Sequence, residues 1–359
     1  MTDTIKTLGV FGAGTMGTGI AINAVANGIT ALIADNSEDA LTRAKARAEK
    51  VLNRWVEKGR MSEADKAAAL DLFVPASKAE AAAADLVIEA VFEDLEVKRS
   101  LLREIEPHLS SGSVIATNTS ALRVADIASA LSDPGRVVGL HYFSPAEVNP
   151  LCELSGAPQS REDALTKAQG FLEQTQRAVL TCTDTAGFIV NRFFIPVYDE
   201  ATRLIGEGVA TPAQIDAVSK DLFQAGAGIV TVLNVIGART SAHAAENLAE
   251  LGPEYAPSDY LKKLGQVGNP IAFDPIEGAV DAPTATLIKD RLTAAILLPV
   301  ADLINEGIAT FDQIDTGARL ALKYNRTPGM ILDERGAETA QTPVDAHRER
   351  RLTNQEKAA

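Results

Sequence analysis

His141 and Glu153 lie twelve positions apart, each in an apolar, strand-like run, and their side chains suit proton transfer. His141 follows Val137-Val138-Gly139-Leu140 and leads into Tyr142-Phe143-Ser144-Pro145. Glu153 sits inside Leu151-Cys152-Glu153-Leu154. A carboxylate in such a run is costly to bury unless paired. Pairing with His141 would fix the imidazole tautomer and stabilise the imidazolium formed on proton uptake. An imidazole that titrates near neutrality is a natural base for an alcohol proton. The other histidines sit elsewhere: His108 at a helix end, His243 in an Ala-rich helical run, His347 in a polar tail. The competing reading of His141 is a structural histidine at a strand end.

A second group of residues suits a dinucleotide. Gly12-Ala13-Gly14-Thr15-Met16-Gly17 directly follows the apolar run Thr7-Leu8-Gly9-Val10-Phe11, and a helical stretch follows it. Gly12 suits the tight turn. Gly14 lets backbone approach a pyrophosphate, and Gly17 lets the helix pack on the sheet. The run Thr30-Ala31-Leu32-Ile33-Ala34 ends in Asp35. An acid at this spacing can accept from a ribose diol and would repel a 2′-phosphate, favouring NAD over NADP. The competing role for Asp35 is a solvated cap of the helix beginning at Ser37. Two further clusters place small polar groups where substrate oxygens could be held: Asn118-Thr119-Ser120 after an apolar run, and Asn191 at an apolar helix start. Turn and capping work is the alternative for Ser120 and Asn191.

Together these motifs resemble the NAD-dependent L-3-hydroxyacyl-CoA dehydrogenases over roughly residues 5–335. The resemblance rests on the Gly12 turn, Glu89-Ala90-Val91-Phe92-Glu93 with Lys98, Asn118-Thr119-Ser120, Gly139 to Pro145, Glu153, and Gly187-Phe188-Ile189-Val190-Asn191-Arg192. It implies that His141 is the base, that Glu153 orients it, and that Ser120 and Asn191 contact substrate oxygens. It further implies that Gly12, Gly14, Met16, Gly17, Asp35, Glu93, Lys98 and Asn118 serve NAD. An acyl-CoA thioester is the implied substrate, lying between the two domains, and no metal is expected. The duplicated helical part resembles that of the multifunctional β-oxidation proteins, whose hydratase half has no counterpart here. Two positions depart from the family pattern. Ala186 stands where a proline usually precedes Gly-Phe, and Ala227 to Leu233 replaces a Met-Gly-Pro segment near the acyl site. A dehydrogenase of a free hydroxy or sugar acid on the same architecture is the alternative function; a nucleotide-binding scaffold without catalysis is a third.

The elements that must carry these residues are legible from pattern. The first half alternates short apolar runs with helical stretches, the rhythm of an open, mainly parallel sheet. From Phe188 onwards the chain reads as helical. A stretch at 203–216 matches 302–315 at a constant offset of 99 residues, and this predicts two similar helical units. The expected architecture is α/β: a Rossmann-type domain over 1–184, a helical domain over 185–281, a second, partial helical copy over 282–337, and a polar, unpacked tail over 338–359.

Composition narrows the partners. A formal charge of −14 over 359 residues argues against nucleic acid. Two cysteines, Cys152 and Cys182, give neither a disulfide framework nor zinc spacing. No apolar run has the length of a membrane span, and the first apolar strand begins too early to leave room for a signal peptide. The expectation is a cytoplasmic protein, monomeric or homodimeric, with the duplicated helices lessening the need for a partner.

Overall fold

The computed structural model describes residues 4–276, 278–336 and 344–351. The chain divides into two compact units, Met1–Thr185 and Ala186–Ala359.

In the first unit, short apolar runs form eight strands: β1 (Thr7–Phe11), β2 (Thr30–Ala34), β3 (Phe73–Pro75), β4 (Leu86–Glu89), β5 (Val114–Thr117), β6 (Val137–Tyr142), β7 (Leu151–Gly156) and β8 (Ala178–Thr183). The order across the sheet is β3-β2-β1-β4-β5-β6-β7-β8. The first six strands run parallel in the 3-2-1-4-5-6 order of a Rossmann sheet. β7 is antiparallel to β6, and β8 runs parallel to β7. Strands β4, β5 and β6 are buried along their whole length, as expected of strands covered on both faces. The order reverses between the adjacent strands β1 and β4. Ligand crevices of such sheets form at that point, beyond the carboxyl ends of the strands.

The second unit is helical. Its principal helices are Val190–Gly206, Pro212–Leu222, Ile229–Ile236, Ala238–Leu248, Asp259–Val267, Ala282–Asn305, Phe311–Ala321, Pro328–Arg335 and 344–351. The expected pair of tandem helical copies is not what forms: this is a single helical domain. The 99-residue spacing survives as local chemistry. Thr211 with Gln214 and Thr310 with Gln313 build matching capping boxes. Gly208 and Gly307 end the preceding helices at φ of 67° and 68°. The two runs of helices interlock, however. Arg192 reaches Glu306 at 2.5 Å, and Arg291 reaches Glu207 at 2.5 Å and Glu200. Phe223 stacks on Tyr324 with ring centroids 4.3 Å apart. Each run neutralises charges the other buries, so neither closes a core by itself.

The tail also differs from expectation. Residues 344–351 form a helix in which Val344, His347 and Arg351 are buried. Arg351 donates to Asp199 Oδ2 at 2.5 Å and to the carbonyls of Glu254 and Ala256. Burial, reinforced by Arg351 and other arginines, pushes His347 down to about 3, so it packs as a neutral ring. Polar composition concealed a segment that packs through charge. Residues 338–343 and 352–359 of the expected tail lie outside the described residues. Among the described residues no helix is long and apolar enough to cross a membrane.

Candidate active site

The antiparallel β6–β7 register sets His141 directly opposite Glu153. His141 Nδ1 and Glu153 Oε2 are 2.6 Å apart, with Glu153 fully buried and His141 nearly so. With the carboxylate on Nδ1, the imidazole keeps its proton on that nitrogen and presents Nε2 as an acceptor. Phe143 packs against the ring at 4.4 Å. His141 is the penultimate residue of β6, which runs one position beyond the strand end inferred from pattern, to Tyr142.

The glycine turn lies between β1 and the helix Thr15–Ala26. Gly12 has φ of 102°, and a Cβ there would lie 2.6 Å from the Ala90 carbonyl oxygen. A Cβ on Gly17 would come within 1.9 Å of the Gly12 oxygen. Gly14 faces open space. The helix starts at Gly14 with no side-chain cap and no acidic residue in its first turn. Helices starting at Ser37, Ser62 and Ser77 are all capped. Uncapped N–H groups at an open helix N-terminus fit a pyrophosphate. Met16, in the first turn of the helix Thr15–Ala26, is partly buried and its side chain packs against the hydrophobic core of the unit.

Asp35 bridges the glycine turn and the start of the following helix, whose cap is Ser37. Its Oδ2 accepts from Ala13 N–H at 2.8 Å, inside the glycine turn, while Oδ1 accepts from Ser37 N–H at 2.9 Å. The carboxylate thus stands beside the turn at the end of β2, where a ribose diol fits.

Glu93 collects the turn after β5. Its Oε1 accepts from Thr119 Oγ1 (2.6 Å), Ser120 N–H (2.7 Å), Ser120 Oγ (3.1 Å) and Ala121 N–H (3.1 Å). Its Oε2 lies 3.2 Å from Lys98 Nζ. Burial pushes the Glu93 carboxyl upward, but Lys98, Thr119 and Ser120 together hold it below its usual range. Glu93 and Ser120, assigned by resemblance to cofactor and substrate respectively, therefore share one carboxylate. Asn118 Oδ1 accepts from Tyr142 N–H at 3.0 Å and ties the end of β5 to the residue after His141. Asp184 holds the far side of the same loop through the N–H groups of Val124 and Ala125, at 2.6 and 2.8 Å.

Asn191 belongs to the helical unit, in the first turn of the helix Val190–Gly206, and is partly buried. One acid was missed by sequence reasoning. Glu89, at the carboxyl end of β4, is fully buried and paired with Lys98. The available signal was a glutamate closing the apolar run Leu86-Val87-Ile88, with a lysine nine residues later. Among the described residues no cluster of metal-ligating side chains occurs.

An uncapped glycine turn, an acid at the end of β2 and a buried His–Glu pair on one Rossmann sheet define a dinucleotide-dependent oxidoreductase. Comparison with known proteins agrees. Residues 7–185 match the family model of the 3-hydroxyacyl-CoA dehydrogenase NAD binding domain, and residues 187–270 match that of the C-terminal domain. The chain belongs to the NAD-dependent 3-hydroxyacyl-CoA dehydrogenase family. It is 30% identical over 262 residues to a probable 3-hydroxybutyryl-CoA dehydrogenase of Deinococcus radiodurans, a match covering 72% of this chain and 94% of that protein. It is 32% identical over 272 residues to the fatty acid oxidation complex subunit alpha of Pseudomonas syringae, covering 73% of this chain but only 37% of that subunit. The chain thus matches little more than a third of that relative. The solved 3-hydroxybutyryl-CoA dehydrogenase of Escherichia coli K12 shares the fold across 99% of this chain and 100% of its own, with a TM-score of 0.80 at 24% identity.

Proposed function

We propose that this protein catalyses the reversible NAD-dependent oxidation of (S)-3-hydroxyacyl-CoA thioesters to 3-oxoacyl-CoA. The observation that carries the reading is the buried His141–Glu153 pair in a chain of this family. NAD, when bound, supplies the hydride acceptor. The chain's own residues manage the proton. His141 Nε2 removes it from the 3-hydroxyl, and Glu153 stabilises the resulting imidazolium through Nδ1. In the reverse direction protonated His141 returns it. Ser120 and Asn191 hold the C3 oxygen and the thioester carbonyl. Gly12, Gly14, Gly17, Asp35, Glu93, Lys98 and Asn118 serve the cofactor. Met16 serves it as well, from the first turn of the helix that follows the glycines.

The reciprocal ion pairs of the helical unit support a chain that completes its own helical domain, with a homodimer still open to its surface. The unbonded, buried Cys152 and Cys182 agree with a reducing, cytoplasmic setting.

The test is NADH oxidation with acetoacetyl-CoA and longer or branched 3-oxoacyl-CoAs, with free 3-oxo acids as controls. Thioester-dependent turnover is expected. His141→Gln should keep NADH binding and lose about 10²–10⁴-fold in turnover, the usual worth of a general acid–base. Turnover with free acids alone, or more than about a tenth of wild-type turnover in that variant, would overturn the reading.

A further inference from the structure

Among the groups expected to meet a ligand, the Glu89 carboxylate touches only Lys98, while its backbone carbonyl accepts from Asn118 N–H at 2.9 Å; its side chain is among the most deeply buried acids of the described residues. The parallel register places it between Phe11 of β1 and Thr117 of β5. Both its oxygens lie 3.0 Å from Lys98 Nζ, and Thr117 Oγ1 donates to Oε1. Lys98 is itself buried on the helix Leu95–Ile105. Its ammonium bridges Glu89 and Glu93.

The connections form one continuous chain. Thr117 holds Glu89, Glu89 holds Lys98, Lys98 holds Oε2 of Glu93, and Oε1 of Glu93 holds Thr119, Ser120 and Ala121. Glu93 is therefore oriented from two sides. Remove the ammonium from one side and its carboxylate can turn, taking the Ser120 hydroxyl and N–H with it. Burying an ammonium between two carboxylates is a poor route to stability, because an apolar cluster of similar volume does as well or better. The arrangement makes physical sense as a brace that fixes charged groups in one geometry.

We propose that Glu89 is a positioning residue for the dehydrogenase reaction, acting through Lys98 and Glu93 to fix both the cofactor-side carboxylate and Ser120. The proposal rests on the roles given above to Glu93 and Ser120. It adds that cofactor and substrate geometry are set together by a buried acid that contacts neither.

A double-mutant cycle on the full-length protein tests it. Wild type, Glu89→Gln, Ser120→Ala and the double variant are compared in kcat/KM for acetoacetyl-CoA reduction and in NADH affinity by fluorescence. Glu89→Gln is expected to lower kcat/KM by about tenfold or more, since small displacements near reacting groups carry such costs. In the Ser120→Ala background the same change should cost about threefold or less, because coupled residues are non-additive. An equal factor in both backgrounds would mean that Glu89 supports the fold only. NADH affinity separates this proposal from the functional reading. If Ser120→Ala leaves turnover unchanged, the serine's role has failed, and Glu89 is judged by cofactor affinity alone. About tenfold weaker NADH binding in Glu89→Gln then supports the brace, and wild-type affinity overturns it. Should Glu89→Gln not fold, the isosteric Thr117→Val removes one donor to Glu89. It is expected to weaken NADH binding and kcat/KM together by about threefold, and wild-type values for both would overturn the proposal.

Discussion

Asp35 concentrates the cofactor question in one side chain. Its two oxygens are already engaged by Ala13 and Ser37 N–H groups, at distances typical of charge-assisted bonds. The acid is thus held beside the glycine turn, so a 2′-phosphate in its place would meet a negative charge in a fixed position. Wild type should use NADH at least about tenfold more efficiently than NADPH, the margin a close like charge provides. Asp35→Ser should narrow that gap and also raise KM for NADH, because the turn loses its tie to β2. Steady-state kinetics with both cofactors checks this. Equal efficiency in the wild type would mean that Asp35 serves only the turn and the helix start.

At the scale of elements, the two long helices Val190–Gly206 and Ala282–Asn305 resemble each other without being equivalent. Asn191 sits in the first turn of one; the residue 99 positions on is Asp290, a full turn and more inside the other. Asp290 lies 2.8 Å from Arg335, and the pair is partly exposed. A surface pair of this kind is worth about 0–1 kcal/mol. Asp290→Ala should therefore leave turnover near wild type and barely change the melting temperature. Asn191→Ala should lower turnover with acetoacetyl-CoA by about tenfold or more, as expected for a lost polar contact at a reacting oxygen. Parallel assays and melting curves decide it, and equal losses in turnover from the two variants would remove Asn191 from the substrate site.

For the molecule as a whole, the helical unit is knitted by buried charge as much as by apolar packing. Asp199 is the clearest case. Burial raises its pKa, but Arg351 and Arg203 outweigh that and hold it below the ordinary carboxylate range. A depressed carboxylate contributes stability above its unfolded pKa and loses it as pH falls through the folded value. Arg351→Met removes the stronger partner and leaves Asp199 buried with Arg203. Breaking a buried pair from one side costs about 3–5 kcal/mol. The loss should be largest near neutral pH and shrink below about pH 4, where the carboxyl is protonated in the folded variant and in the unfolded chain. Urea unfolding of both proteins at the two pH values measures it. A pH-independent difference would show that Arg351 acts through its carbonyl contacts instead.

The sequence by itself determined what depends on residue type at short range. The glycine turn was readable because φ of 102° at Gly12 and the close approach at Gly17 admit no side chain. The His141–Glu153 pair was readable because an acid within an apolar strand demands a partner, and a hairpin-like return supplies one within twelve residues. Tertiary structure decided whatever depends on which elements become neighbours. Glu89 meets Thr117 only because β4 pairs with β5 in one particular register. Ser120 and Glu93, 27 residues apart, converge because both follow the carboxyl ends of those adjacent strands. The repeat was visible as a pattern, but pattern could not say that the two helix runs would exchange ion pairs and become one domain. The helix at 344–351 was missed for the same reason. Its composition is polar, and only the buried carboxylate of Asp199, 152 residues away, gives Arg351 a reason to pack.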